Sequence, residues 1–174
     1  MQWDKQRIGV GVAVLIALGA AWWIWGADRD ARQINRQFDQ LVELLEKRAD
    51  IPPLRMMARA RRTTEFFTDD AEIRLSPLVE RALSVDEIPA AHHLVHSRVA
   101  QLTLRISDRH LDIDAERQGA VMRVTVRSGV RTHQGSRENR LDEFRVQWVK
   151  EDGTWLIQSA EIVSAIRAPR AVGD

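Results

Sequence analysis

The chain has 174 residues with 26 basic and 25 acidic side chains, so its formal net charge is only +1. This balance argues against a dedicated nucleic-acid binder, which needs a concentrated basic surface. The sequence contains no cysteine, which excludes a disulfide framework, a thiolate metal site and a cysteine nucleophile. It contains no tyrosine either, so no phenol hydroxyl is available to polarise a substrate carbonyl.

Close to the N-terminus, the segment Ile8–Trp25 carries no charged side chain. Its length is close to the about 20 residues that a helix needs to cross the hydrocarbon core of a bilayer. We therefore predict a transmembrane helix over residues 8–26, preceded by a short tail of residues 1–7. Indole rings favour the headgroup layer, and three tryptophans near the end of the segment are the predicted membrane-interface residues: Trp22, Trp23 and Trp25.

Two alternatives for this segment stay open. A cleaved signal peptide fits the small residues Gly19–Ala21, although the apolar run continues past them. A buried core helix fits less well, because the segment is apolar on all sides. Basic residues flank the segment on both sides, so the positive-inside rule does not decide the orientation. We expect a single-pass inner-membrane protein whose soluble domain lies on the periplasmic side.

The rest of the chain, residues 27–166, is expected to form one domain. Residues 28–49 predict a helix, because apolar side chains recur there at spacings of three and four. These are Ile34, Phe38, Leu41, Val42 and Leu45. The repeat favours a helix packed on its own domain, since it covers too few heptads for a dimerising coiled coil. Pro52 and Pro53 end this helix and begin a second one, which runs to about Phe67.

The second helix carries both apolar and basic side chains. We expect its inner face to hold Leu54, Met57, Ala58 and Phe66. The four arginines, Arg55, Arg59, Arg61 and Arg62, are expected on a solvated face or against acidic lipid headgroups. A short strand over Ala71–Leu75 follows. A third helix begins near Ser84 or Asp86, where a capping-box pattern occurs, and ends near Arg98.

Beyond Val99 the apolar period changes from helical to two, which indicates strands. Turn signals separate the alternating runs at Arg117–Gly119, His133–Ser136 and Glu151–Gly153. The Asp152–Gly153 pair is among the strongest hairpin signals. The fold class is therefore α+β, with a curved antiparallel sheet packed against about three helices. Residues 167–174 are expected to form a flexible tail.

This order of elements resembles the nuclear transport factor 2-like, or SnoaL-like, superfamily with its cystatin-like cone. The resemblance rests on Glu65–Ile73, where a helix passes into a strand, and on the ending Lys150–Ile157. The superfamily includes isomerases, dehydratases, polyketide cyclases, transport factors and scaffolds, so the fold does not define the function. With its anchor, the chain also resembles the bitopic assembly subunits of type IV secretion machines and membrane proteins associated with mammalian-cell-entry transporters. In those relatives the soluble domain is a protein-interaction module.

The resemblance also implies where a catalytic residue would lie, because the enzymes of this superfamily use a buried acid or histidine base inside the cone. The candidates here are His92, His96 and Asp112. His92 and His96 are four residues apart and share a helix face, but no Glu completes an H-E-x-x-H motif. We therefore expect neither a metal nor another cofactor.

Four further residues are candidates for lining a pocket: His93, Asp114, Trp148 and Trp155. A structural role is the alternative for each of them. The aspartates on the strand then pair with Arg123 and Arg127 on a solvated sheet face, and the tryptophans fill the core.

The leading functional hypothesis is a membrane-anchored, non-enzymatic interaction or assembly module. Its expected partners are membrane lipid, other proteins and a second copy of the chain through the sheet face, but not nucleic acid. The alternative is a protein that binds a small hydrophobic ligand, or a SnoaL-like lyase or isomerase. A ligand-sized cavity with His92, His96 or Asp112 facing into it favours the alternative, and a filled cone favours the leading hypothesis.

Overall fold

The computed structural model describes residues 28–48, 51–76 and 79–167 of the chain. The predicted transmembrane helix with its three tryptophans, the signal-peptide alternative and nearly all of the predicted tail lie outside these residues. Within the described residues, no helix is both long enough and apolar enough to span a membrane.

The described residues form three α-helices. The first, α1, covers residues 28–45. The second, α2, covers Pro53–Thr64 and the third, α3, covers Ile88–Arg98. A short 3₁₀ turn, Val85–Glu87, precedes α3 and begins with the predicted capping box, in which the Ser84 amide donates to the Glu87 carboxylate at 3.0 Å. Proline lies in the first turn of both α2 and α3, where its missing N–H leaves no hydrogen bond unmade.

Five strands form one sheet, which confirms the predicted curved sheet and its meander. They are β1 (Phe67–Arg74), β2 (Val99–Ile113), β3 (Gly119–Thr132), β4 (Arg137–Glu151) and β5 (Thr154–Arg167). The spatial order is β1-β5-β4-β3-β2, with β2 to β5 antiparallel and β1 parallel to β5. Register shifts interrupt the ladders of β2 and β4, and such bulges bend a sheet around its core.

The boundary between α2 and β1 differs from the prediction. The helix ends at Thr64 instead of continuing to Phe67, and the strand begins at Phe67 instead of Ala71. Pairing with β5 explains the difference, because the Ile157 amide donates to the Phe66 carbonyl at 2.8 Å and draws this segment into the sheet.

The interior of the cone is filled by side chains from α1 and the sheet. The predicted stripe of α1 contributes Ile34, Phe38 and Leu41, all buried. The sheet contributes Met122, Val124, Val146, Trp148, Trp155 and Ile157 to the same cluster. Large aromatic and aliphatic side chains packed in this way exclude water from the centre of the cone.

The orientation of α2 contradicts the prediction for its inner face. Leu54 is 82% exposed and Met57 is 54% exposed, whereas the small residues Ala60 and Thr63 are buried. The physical reason is a tertiary contact: Arg59 donates to carbonyls at the end of α1 and so fixes the rotation of the helix. Phe66 is buried as predicted, although it lies beyond the end of the helix.

The β4–β5 hairpin closes on the predicted Asp152–Gly153 turn, whose φ angles are 48° and 80°. Two consecutive positive φ values are typical of a type I′ turn, which matches the twist of the flanking strands.

We expect Gly153→Ala to lower the free energy of unfolding by about 1–2 kcal/mol, because a Cβ strains this conformation. Urea unfolding of the full chain measures the effect. The control Glu151→Ala, in extended backbone beside the turn, should stay within about 0.5 kcal/mol, and an equal loss in both variants contradicts the prediction.

Candidate functional site

The two predicted histidines at a spacing of four are buried together on α3. The rings of His92 and His96 stack with their centroids 4.0 Å apart. His92 Nε2 lies 3.2 Å from the Leu44 carbonyl, and His96 Nε2 lies 3.1 Å from the Leu45 carbonyl. A carbonyl oxygen only accepts, so each Nε2 carries the proton and each Nδ1 presents a lone pair. Both Nδ1 atoms are buried and have no hydrogen-bond partner among the described residues.

The surroundings keep both imidazoles neutral. Burial lowers the pKa of His96 from 6.5 to about 4. The nearby His92, Arg59 and Lys47 act in the same direction, whereas the hydrogen bond to the Leu45 carbonyl raises the pKa. Burial also lowers the pKa of His92, and the charges of Arg59 and His93 act in the same direction. A base is most effective when its pKa is close to the working pH. The pair is therefore poorly suited to abstract a proton near pH 7.

The same region connects the C-terminal ends of α1 and α3 with the middle of α2. Arg59 Nη2 of α2 donates to the Leu44 and Glu46 carbonyls at 3.1 and 3.2 Å. Lys47 Nζ, just beyond α1, donates to the His96 and Val99 carbonyls at the end of α3, both at 2.8 Å. The last carbonyls of a helix have no partner within the helix. Four side chains donate hydrogen bonds to these carbonyls at the ends of α1 and α3. We call them the polar lock: His92, His96, Arg59 and Lys47.

A second buried polar cluster lies around Asp30, in the first described turn of α1. Asp30 is only 2% exposed. Its Oδ2 accepts from Arg117 Nε at 2.7 Å, and its Oδ1 accepts from Lys150 Nζ at 2.8 Å and from Trp155 Nε1 at 3.2 Å. Burial alone raises the pKa of Asp30, but the hydrogen bonds from Lys150, Arg117 and Trp155 outweigh it and lower the pKa below 3.8. The carboxylate therefore stays ionised at neutral pH and is a weak base.

This Asp30 cluster was not predicted from the sequence, in which Asp30 counted only as a charge flanking the apolar segment. Its partners are 87, 120 and 125 residues away along the chain. Arg117 lies in the β2–β3 turn, and Lys150 and Trp155 lie on either side of the β4–β5 turn. The cluster thus joins the first described turn of α1 to two hairpin tips. The sequence held one local signal of this burial. Asp30 is four residues before Ile34, which places it on the same face of α1 as the apolar stripe.

The remaining predicted residues lie elsewhere. Asp112 is 68% exposed at its side chain, outside the core, and lies 3.2 Å from His110 Nε2 instead of pairing with Arg123 or Arg127. Asp114 accepts from the Gln118 and Gly119 amides at 3.0 and 2.6 Å and so closes the β2–β3 turn.

The other three pocket candidates are His93, Trp148 and Trp155. His93 is exposed on α3. Trp148 and Trp155 are buried in the core. The structure therefore brings His92 and His96 together but places Asp112, Asp114 and the two tryptophans away from them. Among the described residues, no three His, Asp or Glu side chains form a group that can hold a metal ion.

A groove of ligand size lies between the end of α1 and α2. Its volume is about 400 Å³. It is lined by Leu44, Ile51, Pro52, Arg55, Ala58, Arg59 and Arg62. The lining residues that the structure describes combine apolar side chains with three guanidinium groups and include no acid and no histidine. Arg55, Arg59 and Arg62 follow one another at spacings of four and three, which places them on one flank of the helix.

Solved structures share this architecture at low sequence identity. A provisionally assigned scytalone dehydratase from Novosphingobium aromaticivorans aligns with a TM-score of 0.63 and 16% identity, covering 79% of this chain and 87% of that one. A provisionally assigned calcium/calmodulin-dependent protein kinase II association domain from Xanthomonas campestris gives 0.60 and 15%, covering 80% and 89%. ActVI-ORFA from Streptomyces coelicolor gives 0.58 and 15%, covering 78% and 96%. The chain has the nuclear transport factor 2-like fold.

These likenesses show the fold alone, because the same cone occurs in a protein named as a dehydratase and in one named as an association domain. No protein-family model and no curated relative matches the chain. The function must therefore be argued from the residues of the chain itself.

Proposed function

We propose that the chain is a binding protein that takes an amphiphilic anion, an apolar molecule with one acidic group, in the groove between the end of α1 and α2. The observation that carries the proposal is the lining of the groove. Leu44, Ile51, Pro52 and Ala58 offer an apolar surface, while Arg55, Arg59 and Arg62 offer fixed positive charge. A volume of about 400 Å³ lies in the range typical of small-molecule sites.

The guanidinium groups define the acidic end of the ligand. Arginine presents planar pairs of N–H donors that match a carboxylate or a phosphate, and it does not lose its proton in proteins. Arg59 already donates Nη2 to the Leu44 and Glu46 carbonyls, so its position is held by the polar lock. Arg55 and Arg62 are exposed, and they can turn toward a ligand.

Binding is supported better than catalysis. Among the described residues that line the groove, no side chain can abstract a proton, since arginine is not a base at neutral pH. Among the predicted bases, His92 and His96 face carbonyls of α1 and Asp112 faces solvent. The proposal therefore favours the ligand-binding form of the alternative hypothesis over its lyase or isomerase form.

Photo-crosslinking tests the proposal on the full chain in a non-ionic detergent. The probe is a long-chain fatty acid that carries a diazirine, and mass spectrometry maps the labelled peptides. We expect labelling to concentrate in Leu44–Arg62, and Arg62→Gln should reduce it roughly tenfold, because one hydrogen bond between charged groups contributes about 1.5–3 kcal/mol.

Two controls separate the groove from general attraction to positive charge. Arg61→Gln removes the same charge from a neighbouring position that does not line the groove, and it should leave the labelling nearly unchanged. The methyl ester of the probe lacks the acidic group and should label this segment weakly. Equal labelling by acid and ester, or equal losses in the two arginine variants, contradicts the proposal.

The second candidate function is the membrane-anchored interaction module. It is supported by the filled interior of the cone, which leaves the outer surfaces for binding. The anchor over residues 8–26, the periplasmic location, protein partners and a homodimer through the sheet face stay predictions. An interaction module of this kind is compatible with an occupied groove, since the two use different surfaces.

A further inference from the structure

Two large apolar side chains are exposed among arginines on the outward surface of α2. Leu54 is 82% exposed and Met57 is 54% exposed, and Ala58 and Arg61 are exposed as well. Positions 54, 57, 58 and 61 recur at spacings of three and four, so these side chains form one stripe along the helix. We call this stripe the outer face of α2. It is distinct from the flank that lines the groove, although the two share Ala58.

The charges around this stripe all have one sign. The sequence of α2, PLRMMARARRTT, contains four arginines and no acidic residue. Arg59 is engaged with carbonyls of α1. Arg55, Arg61 and Arg62 are exposed, and no carboxylate of the described residues forms an ion pair with them. Exposed apolar side chains between unpaired arginines are typical of a helix that lies in the interface of an anionic membrane.

We propose that the outer face of α2 lies on a bilayer that contains anionic lipid. Leu54 and Met57 then enter the layer below the headgroups, and Arg61 pairs with lipid phosphates. Arginines near an anionic surface each contribute roughly fivefold to partitioning. The predicted apolar segment Ile8–Trp25 would keep the domain within reach of a bilayer, but the proposal does not depend on the segment being uncleaved.

Other occupants fit this surface less well. A second copy bound about a two-fold axis would place the same patch on both sides of the interface, and the arginines of the two copies would then repel each other. A protein partner usually anchors through aromatic side chains in a pocket, whereas here Leu54 and Met57 project from a convex helix. A bilayer matches both the positive charge and the projecting apolar side chains.

The test uses the absence of cysteine from the chain. Met57→Cys in the full chain provides one site for a polarity-sensitive fluorophore, and Val163→Cys on β5, at a side chain that is 49% exposed, provides the control site. Each labelled protein is reconstituted into vesicles of phosphatidylcholine alone or of phosphatidylcholine with phosphatidylglycerol. Brominated lipids then quench any label that enters the bilayer.

We expect the label at position 57 to be quenched in the anionic vesicles and several-fold less in the neutral ones, and the label at position 163 to stay in water in both. Leu54→Ser with Arg61→Gln should remove most of the quenching at position 57. These residues are exposed, so the fold should be retained, which circular dichroism verifies. High salt should weaken the quenching, since it screens exposed charges.

A label at position 57 that stays in water in both vesicles overturns the proposal and leaves an acidic protein surface as the occupant. If the label at position 57 is shielded from water in neutral vesicles, and more strongly at higher protein-to-lipid ratios, a second copy of the chain covers this surface and the proposal is overturned. Ile51→Trp, at a position that lines the groove but lies outside α2, is expected to abolish crosslinking by the fatty acid probe and to retain the quenching at position 57. The failure of the groove proposal and the failure of the membrane proposal are therefore distinguishable.

Discussion

Asp30→Ala is expected to lower the free energy of unfolding by about 3 kcal/mol at pH 7, which is one of the largest effects of a single substitution in this chain. The variant leaves Arg117, Lys150 and the Trp155 indole without the carboxylate that they share. Removing one partner from a buried ion pair typically costs about 3–5 kcal/mol. The lower end applies here, because Arg117 and Lys150 keep 23% and 20% of their side-chain surface exposed and can regain water. Urea unfolding of the full chain measures the loss.

A matched control lies two residues earlier in the same helix. Asp28 is exposed, and Asp28→Ala should change the free energy of unfolding by less than about 0.5 kcal/mol. Asp30→Asn keeps the shape of the side chain and removes its charge, so its loss should fall between those of the two alanine variants. If Asp30→Ala is no more destabilising than Asp28→Ala, the Asp30 cluster does not stabilise the fold.

The pH dependence of this contribution has a definite sign. The pKa of Asp30 is lowered from 3.8 in the folded chain, so the unfolded state takes up the proton first as the pH falls. The contribution is therefore fully present above about pH 4 and is lost as the pH falls through the lower, folded pKa. The stability difference between the wild-type chain and Asp30→Asn should shrink only in this acidic range.

The meander was predictable because its signals are local. Alternation with a period of two is a property of each strand alone, and the Asp152–Gly153 turn is determined by the left-handed preference of its own residues. The stripe of α1 was equally local, since Ile34, Phe38 and Leu41 recur at helical spacing. In each of these elements, the spacing of apolar residues along its own sequence predicts which face packs against the rest of the fold.

The orientation of α2 was not predictable in this way. Its sequence offers Leu54 and Met57 for burial, and the helix buries Ala60 and Thr63 instead. The deciding contact runs from Arg59 to carbonyls of α1 that are 13 and 15 residues away. No periodicity in the helix encodes the position of those acceptors, so a tertiary contact overrides the local pattern.

The candidate sites show the same division. The spacing of four correctly predicts that the rings of His92 and His96 lie side by side. It does not predict that the Nε2 atoms of both rings are hydrogen-bonded to carbonyls of α1. The arginine flank was visible in the sequence, since Arg55, Arg59 and Arg62 have the spacing of one helix face. Only the structure adds the apolar residues from the preceding loop that turn this flank into a groove.

The polar lock has a consequence for acid stability. The pKa of His96 is lowered from 6.5 to about 4 in the folded chain, so between these values the unfolded state binds a proton that the folded state does not. Stability is therefore retained above about pH 6.5 and falls as the pH is lowered toward 4. The difference corresponds to a loss of about 3 kcal/mol from His96 alone, and the lowered pKa of His92 adds to it in the same direction.

Urea unfolding of the full chain at pH 7 and pH 5 should show about 2 kcal/mol of this loss, because pH 5 lies only about 1.5 units below 6.5. Two histidine variants assign it. His93 is exposed on the same helix, so His93→Gln should keep the whole loss between the two pH values. His96→Gln removes the buried imidazole; it should be less stable at pH 7 by about 1–3 kcal/mol, because the hydrogen bond to Leu45 is disturbed. It should nevertheless lose distinctly less stability between pH 7 and pH 5 than the wild-type chain.

If both variants lose as much as the wild-type chain, another group causes the acid sensitivity. If only His96→Gln is protected, the buried imidazole of His96 causes the acid sensitivity, and its structural role is to hold the end of α1 against α3.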